Sequence, residues 1–142
     1  MPLPPLTRRA LPVLTAALWL GITASAHAIE VRFEPVAPGL YAFIGEKSGR
    51  TYDNEGLNAN IGLVVTADGA LLIDSGASLQ SARKIHAAVA QVTTQPVKWV
   101  INTGGQDHRW LGNGYFAAQG AEVIAHAHGK ADMLARGGDH IA

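Results

Sequence analysis

The sequence contains no cysteine among its 142 residues, and this absence excludes several kinds of protein. A disulfide-stapled mini-protein, a zinc site built on thiolates and a cysteine nucleophile all require that residue. Charged residues are scarce, at 15%, which excludes a disordered polyelectrolyte. The 11 basic and 11 acidic residues cancel, so the charge gives no electrostatic case for binding nucleic acid or an anionic membrane surface.

Several catalytic signatures are also missing. The sequence has no G-x-S-x-G elbow, no phosphate-binding P-loop, no H-E-x-x-H helix and no G-x-G-x-x-G turn. These absences remove the evidence for a serine hydrolase, a nucleotide phosphohydrolase, a zincin protease or a nicotinamide-dependent dehydrogenase. What is present is a chain of 48% apolar residues, long enough for one domain with one core.

The first 28 residues have the pattern of a secretory signal peptide. Arg8 and Arg9 precede the apolar run from Ala10 to Ile22, and the small residues that follow end at Ala28. We expect cleavage after Ala28 and export to the periplasm or out of the cell, with no membrane contact afterwards. An uncleaved N-terminal anchor is the alternative. The paired arginines leave both Sec and twin-arginine export open.

The remaining chain, residues 29–142, switches between the two-residue period of strands and the longer period of helices. The predicted strands are Ile29 to Phe33, Leu40 to Ile44, Asn60 to Thr66, Ala70 to Asp74, Val97 to Ile101 and Glu122 to Ala125. The predicted helices are one that Ser78 caps, one from Trp110 to Ala118 and one from Lys130 to Arg136. Antiparallel strands followed by alternating helix and strand predict an α/β fold of the α+β sandwich type, with a mixed sheet and at least one helical layer. The chain stops without a closing strand, so we expect a partial domain.

A polar turn from Asn102 to His108 follows a buried strand and opens a helix, which is where ligands bind in open α/β sheets. Asp107 and His108 are adjacent donors of the kinds that suit Zn²⁺ or Fe²⁺. Asp-His is also a common dipeptide. The alternative is an acidic residue that favours the helix dipole beside a solvent-facing histidine.

Two further places in the sequence offer donor groups. Asp74 ends an apolar strand at the same expected sheet edge, although it could equally be a turn residue that bonds the backbone at Ser75 and Gly76. His126 and His128 have the spacing that puts two imidazoles on one side of an extended segment. Because no third donor stands near them in sequence, an exposed pair is the simpler interpretation.

Taken in order, these segments resemble the N-terminal half of the metallo-β-lactamase superfamily. The motifs that carry the resemblance are Val36-Ala37-Pro38-Gly39-Leu40-Tyr41, Asn60-Ile61-Gly62, Leu71-Leu72-Ile73-Asp74-Ser75-Gly76, Val100-Ile101-Asn102-Thr103, Asp107-His108, Leu111-Gly112-Asn113 and Val123-Ile124-Ala125-His126. The resemblance implies one half of an αβ/βα sandwich with a metal site at the sheet edge. The remaining ligands of the family lie in its C-terminal half, which we expect to be missing from this partial domain.

The family signature N-T-H-x-H-x-D-H is degenerate here, because the chain has one residue fewer and neither of the first two histidines. The resemblance implies Asp107 and His108 as residual metal ligands, Asp107 also as the catalytic residue, and Asp74 as their support. It suggests Gly104, Gly105 and Gln106 as substrate contacts, and zinc, or else iron, as the metal. Two ligands alone would bind zinc weakly.

The expected function is therefore that of an exported relative of metal-dependent hydrolases of esters, thioesters or amides. Two alternatives stay open: a non-catalytic binding or accessory module that holds an anion at the same turn, and an inactive fragment of a longer hydrolase. The expected partner is a small molecule or anion rather than nucleic acid. A homodimer in which each copy stands in for the missing half is a further hypothesis.

Overall fold

The computed structural model describes residues 29–141 of the chain. The predicted signal peptide lies outside the described residues. In chain order the elements are β1 (Glu34–Ala37), β2 (Leu40–Phe43), β3 (Ile61–Val65), β4 (Ala70–Ile73), α1 (Leu79–Val92), β5 (Val97–Asn102), α2 (Asp107–Trp110), α3 (Asn113–Ala118), β6 (Glu122–Ala125) and α4 (Ala127–Ile141). Within this part of the chain, no helix combines the length and the apolar character needed to span a membrane.

The described strands form one six-stranded sheet in the order β1-β2-β3-β4-β5-β6. The first four strands pair antiparallel, and β5 and β6 extend the sheet in parallel with β4. Parallel neighbours need a crossover connection. Helix α1 provides it between β4 and β5, and α2 with α3 provides it between β5 and β6. The predicted mixed sheet with a helical layer is confirmed.

The core lies between this sheet and its helices. Leu63, Leu72 and Val100 are register neighbours on three adjacent strands, and each is 0% exposed. Ile85 of α1 and Phe116 of α3 are equally buried and belong to the same cluster. Each such side chain stabilises the fold by about 1.5–3 kcal/mol relative to the exposed state.

The opposite side of the sheet is apolar but much less buried. Leu40, Val64, Leu71 and Trp99 are register neighbours across β2 to β5, on the side away from the core. Leu40 is 42% exposed, and Ile124 of β6, on the same side, is 40% exposed. We call the surface formed by these five residues the open face. Side chains of this type are usually buried, so the open face has the composition of an interior surface.

The predicted strand Ile29 to Phe33 is wrong, because the first described strand begins at Glu34, one residue after the predicted strand ends. Pairing with β2 decides its position, and the register shifts between Pro35 and Ala37. Proline is tolerated there because β1 is an edge strand and lacks a neighbour that would need the missing N–H. The segment before it is extended without pairing, and it contributes the buried Phe33 to the core.

The three predicted helical segments are helical in the structure, but two of them have other bounds than those predicted. Ser78 caps α1, and its hydroxyl oxygen accepts a hydrogen bond from the backbone N–H of Ser81 in a reciprocal capping box. The helix predicted over Trp110–Ala118 is two short helices, interrupted at Leu111 and Gly112. The helix predicted over 130–136 extends from Ala127 to Ile141 and continues through Gly137 and Gly138.

Candidate functional site

Asp74 lies at the carboxyl end of β4 and joins it to the segment after β5. Its carboxylate is 3% exposed and accepts two hydrogen bonds from Thr103, one from the backbone N–H at 2.8 Å and one from the hydroxyl at 2.6 Å. Asp74 has a φ of +65°, a left-handed conformation that aspartate adopts more readily than most residues. The carboxylate therefore ties two strand ends together, with the Arg109 guanidinium 3.7 Å from its Oδ2.

Asp107 is the first residue of α2 and is 4% exposed. Its Oδ1 accepts a hydrogen bond from the backbone N–H of His108 at 2.7 Å and lies 3.3 Å from His108 Nδ1. Its Oδ2 forms an ion pair with Arg50, which comes from the loop before β3. Both oxygens of this carboxylate are thus occupied by groups of the protein.

His108 and Arg109 point towards a cleft of about 430 Å³, which they line together with Asp74 and Thr103. The other side of the cleft is formed by the start of β3 and the residues before it, including Asn58. Asp107 is not part of this lining. The structure therefore brings Asp74 and His108 to one cleft and places Asp107 behind it.

Burial lowers the pKa of His108 below its ordinary value of 6.5. The Asp107 carboxylate raises that pKa, and Arg109 and Arg50 lower it further. Because burial dominates, His108 is a neutral imidazole near pH 7.

A group of amide and hydroxyl side chains holds the turn in place. The backbone oxygen of Arg109 accepts hydrogen bonds from the N–H of Ser75 at 2.9 Å and the Nδ2 of Asn102 at 2.8 Å. Asn113 completes the group, since its Oδ1 accepts from the Ser75 hydroxyl at 2.8 Å and its Nδ2 donates to Asn102 Oδ1 at 2.7 Å. Sequence reasoning gave these residues no role. Ser75, Asn102 and Asn113 all stand inside the motifs that carry the family resemblance, and that resemblance could have pointed to them.

The three residues suggested as substrate contacts lie in different environments. Gly105 is buried, its oxygen accepts a hydrogen bond from Trp110 Nε1 at 3.0 Å, and a Cβ there would lie 2.1 Å from Asp132 of α4. Gly104 is partly exposed, and Gln106 is exposed. None of the three is among the residues that line the cleft.

His126 and His128 come together just before and within the first turn of α4. Their ring centroids are 5.1 Å apart at an interplanar angle of 85°, and both residues are exposed. The pairing expected from their spacing is present, although α4 begins between them.

The described residues do not fit a hydrolytic zinc ion by themselves. Such a site needs three protein ligands and an open position. Over residues 29–141, no group of three His, Cys, Asp or Glu side chains is arranged to hold a metal ion. The acidic ligand suggested by the sequence, Asp107, already carries Arg50 on one oxygen.

Three solved structures illustrate the likeness of the fold. The metallo-β-lactamase FIM-1 from Pseudomonas aeruginosa in its mono-zinc form is 17% identical with a TM-score of 0.66, over 78% of this chain and 48% of that one. The enzyme from Erythrobacter litoralis, with β-mercaptoethanol in its active site, is 22% identical with a TM-score of 0.62, over 76% and 46%. A HARLDQ-motif mutant of the metallo-β-lactamase from Cronobacter sakazakii is 24% identical with a TM-score of 0.57, over 76% of this chain and 39% of that one. The chain thus spans about half the length of the structures it matches, or less.

A comparison with curated protein sequences finds no match. The sequence profile of the metallo-beta-lactamase superfamily, however, matches residues 54–142, which is more than half of the chain. That match covers Asp74, the turn from Asn102 to His108 and the residues that line the cleft from the β5 side. The chain therefore belongs to the metallo-beta-lactamase superfamily and has its hydrolase-like fold.

Proposed function

We propose that the protein is an exported binding module of the metallo-beta-lactamase superfamily, which holds a small anionic molecule in the cleft beside Arg109. The signal-like pattern of the first 28 residues supports export to the periplasm or out of the cell. The observation that carries the binding role is the arrangement of charge. A guanidinium, a neutral imidazole and the Asp74 carboxylate line the cleft. The carboxylate of Asp74 already accepts two hydrogen bonds from Thr103, and that of Asp107, outside the lining, is paired with Arg50.

Arg109 is well placed to receive a carboxylate or phosphate group. Its Nη1 donates a hydrogen bond to the Thr103 hydroxyl, which in turn donates to Asp74, so the guanidinium is held in position. About a third of the side chain, 31%, is exposed. The planar fork of an arginine matches the oxygens of carboxylates and phosphates and binds them in bidentate fashion.

Two residues that line the cleft carry buried polar atoms that lack a hydrogen-bond partner among the described residues. These are Asn58 Oδ1, an acceptor, and Arg109 Nε, a donor. A buried polar atom without a hydrogen bond costs about 1–3 kcal/mol. A ligand that rearranges the wall of the cleft would gain affinity by satisfying them.

The binding role is tested by thermal shift and calorimetry on the full chain, with inorganic phosphate and small carboxylates as probes and no added metal. We expect these anions to raise the Tm of the wild type, and R109Q to abolish the effect. R83Q, which changes an exposed arginine on α1, is the matched control and should behave as the wild type. If no anion protects the wild type, or if R109Q is protected equally, the proposed role is wrong.

The second candidate is a metal-dependent hydrolase of esters, thioesters or amides. The observation that favours it is that Asp107 and His108 are both present, with Asp107 Oδ1 and His108 Nδ1 3.3 Å apart. One of the similar metallo-β-lactamase structures is a mono-zinc form. In that role both would be ligands of zinc, or of iron, Asp107 would take part in the chemistry, and a third ligand would come from outside the described residues. Tight zinc binding by the wild type that is lost in D107A would favour this candidate over the binding module.

A further inference from the structure

The carboxylate of Asp107 needs a compensating charge, because its side chain is only 5% exposed. Burying an unpaired carboxylate costs several kcal/mol. The backbone N–H of His108 satisfies Oδ1, and the guanidinium of Arg50 stands at Oδ2. Arg50 thus occupies Oδ2, the carboxylate oxygen with which Asp107 would have to coordinate a metal ion.

The loop that carries Arg50 is itself well organised around Asn54, which is 1% exposed. Asn54 Oδ1 accepts hydrogen bonds from the backbone N–H groups of Thr51 at 3.0 Å and Gly56 at 2.9 Å. Its Nδ2 donates to the backbone oxygen of Gly49 at 2.8 Å. One side chain, that of Asn54, therefore fixes the residues on both sides of Arg50. The loop is ordered at the point where it carries the guanidinium towards Asp107.

Close packing supports the same placement. A Cβ on Gly56 would lie 3.3 Å from the Cδ of Arg50, so the aliphatic part of Arg50 runs directly over this glycine. About half of the Arg50 side chain, 49%, remains exposed. The stem packs on the loop, and only the guanidinium reaches the buried carboxylate.

We infer that Arg50 is the resident counter-cation of Asp107, that it closes this carboxylate to metal ions, and that it fixes the loop 45–58 to the turn after β5. A guanidinium is permanently charged and donates hydrogen bonds but has no lone pair for a metal. A metal ion at Asp107 would have to displace this guanidinium. Arg50 is accordingly a positioning residue, and the ion pair replaces metal coordination at this point of the fold.

The test is zinc titration by calorimetry on the full chain. All proteins carry H126Q, which removes one member of the exposed histidine pair as a competing site. We expect the wild-type site to bind zinc weakly, and R50Q to bind it at least about tenfold more tightly, which is 1.4 kcal/mol. Adding D107N to R50Q should abolish the gain. R50K, which keeps the positive charge, should bind zinc as weakly as the wild type does. R32Q, which changes an exposed arginine, is the matched control and should also bind zinc as the wild type does.

Two results would overturn the inference: zinc binding by the wild type that is tight and depends on Asp107, or an R50Q protein that binds zinc no better than the wild type. If R50Q does not fold, amide hydrogen exchange gives an independent answer. D107N should speed exchange in the loop 45–58 at least about tenfold, because the loop loses its attachment to the turn. D68N, at an exposed aspartate, should leave exchange unchanged. Equal exchange in D107N and D68N would refute the role of the ion pair.

Discussion

Gly112 lies where the turn after β5 packs against the end of β4, and replacing it with alanine should damage the site specifically. A Cβ at this position would lie 2.0 Å from the backbone oxygen of Ser75 and 3.0 Å from the Cβ of Ala82. The backbone angles of Gly112, φ −78° and ψ −8°, are accessible to any residue. The requirement for glycine therefore comes from close approach and not from backbone conformation.

The cost follows from the distance. Cβ atoms essentially never approach another atom closer than 3.0 Å, so one backbone must retreat by about 1 Å in a closely packed interior. That movement strains the hydrogen bond from Gly112 N–H to the Gly76 oxygen and the one from Ser75 N–H to the Arg109 oxygen. Overpacking of this kind costs about 3 kcal/mol. For a domain of this size, that corresponds to a fall of roughly 12 °C in Tm.

Gly114 provides the matched control, two residues along in α3. A Cβ there would meet no atom within 4 Å, so G114A should stabilise the protein by about 0.5–1 kcal/mol through helix propensity alone. Urea unfolding followed by circular dichroism measures both variants. The reasoning is refuted if G112A is as stable as the wild type, or if G114A loses as much stability as G112A.

Two further predictions concern the histidine of the cleft and the open face. Because the folded pKa of His108 is lowered, the unfolded chain takes up this proton more readily, so the contribution of His108 to stability should fall as the pH drops below about 6.5. The difference in unfolding free energy between wild type and H108Q, measured at pH 8 and pH 5.5, checks this, and a pH-independent difference would contradict it. We also expect the open face to associate with a second copy of the chain. Light scattering should show concentration-dependent dimers that L40K or I124K abolishes, and a monomeric mass at every concentration would contradict the homodimer hypothesis.

Local pattern was sufficient for most of the secondary structure. The period-two runs that became β3, β4 and β5 and the spaced apolar residues of α1 are properties of short segments, because burial on one side dictates them. The cap at Ser78 and the superfamily resemblance were readable for the same reason. The misplaced first strand shows the limit, since the pairing of Pro35 with Tyr41 depends on a partner strand and not on the segment itself.

The site required the tertiary structure. The sequence alone brought Asp74, Asp107 and His108 forward as candidates, because they follow buried strands at one expected sheet edge and also stand in the family motifs. It could not show that His108 lines the cleft while Asp107 turns behind it, because that depends on how the turn packs on the end of β4. Nor could it show that Arg50, 57 positions earlier in the chain, pairs with Asp107. Ion pairs between distant segments are decided by the fold that brings them together, and that fold is determined mainly by the apolar residues of the core.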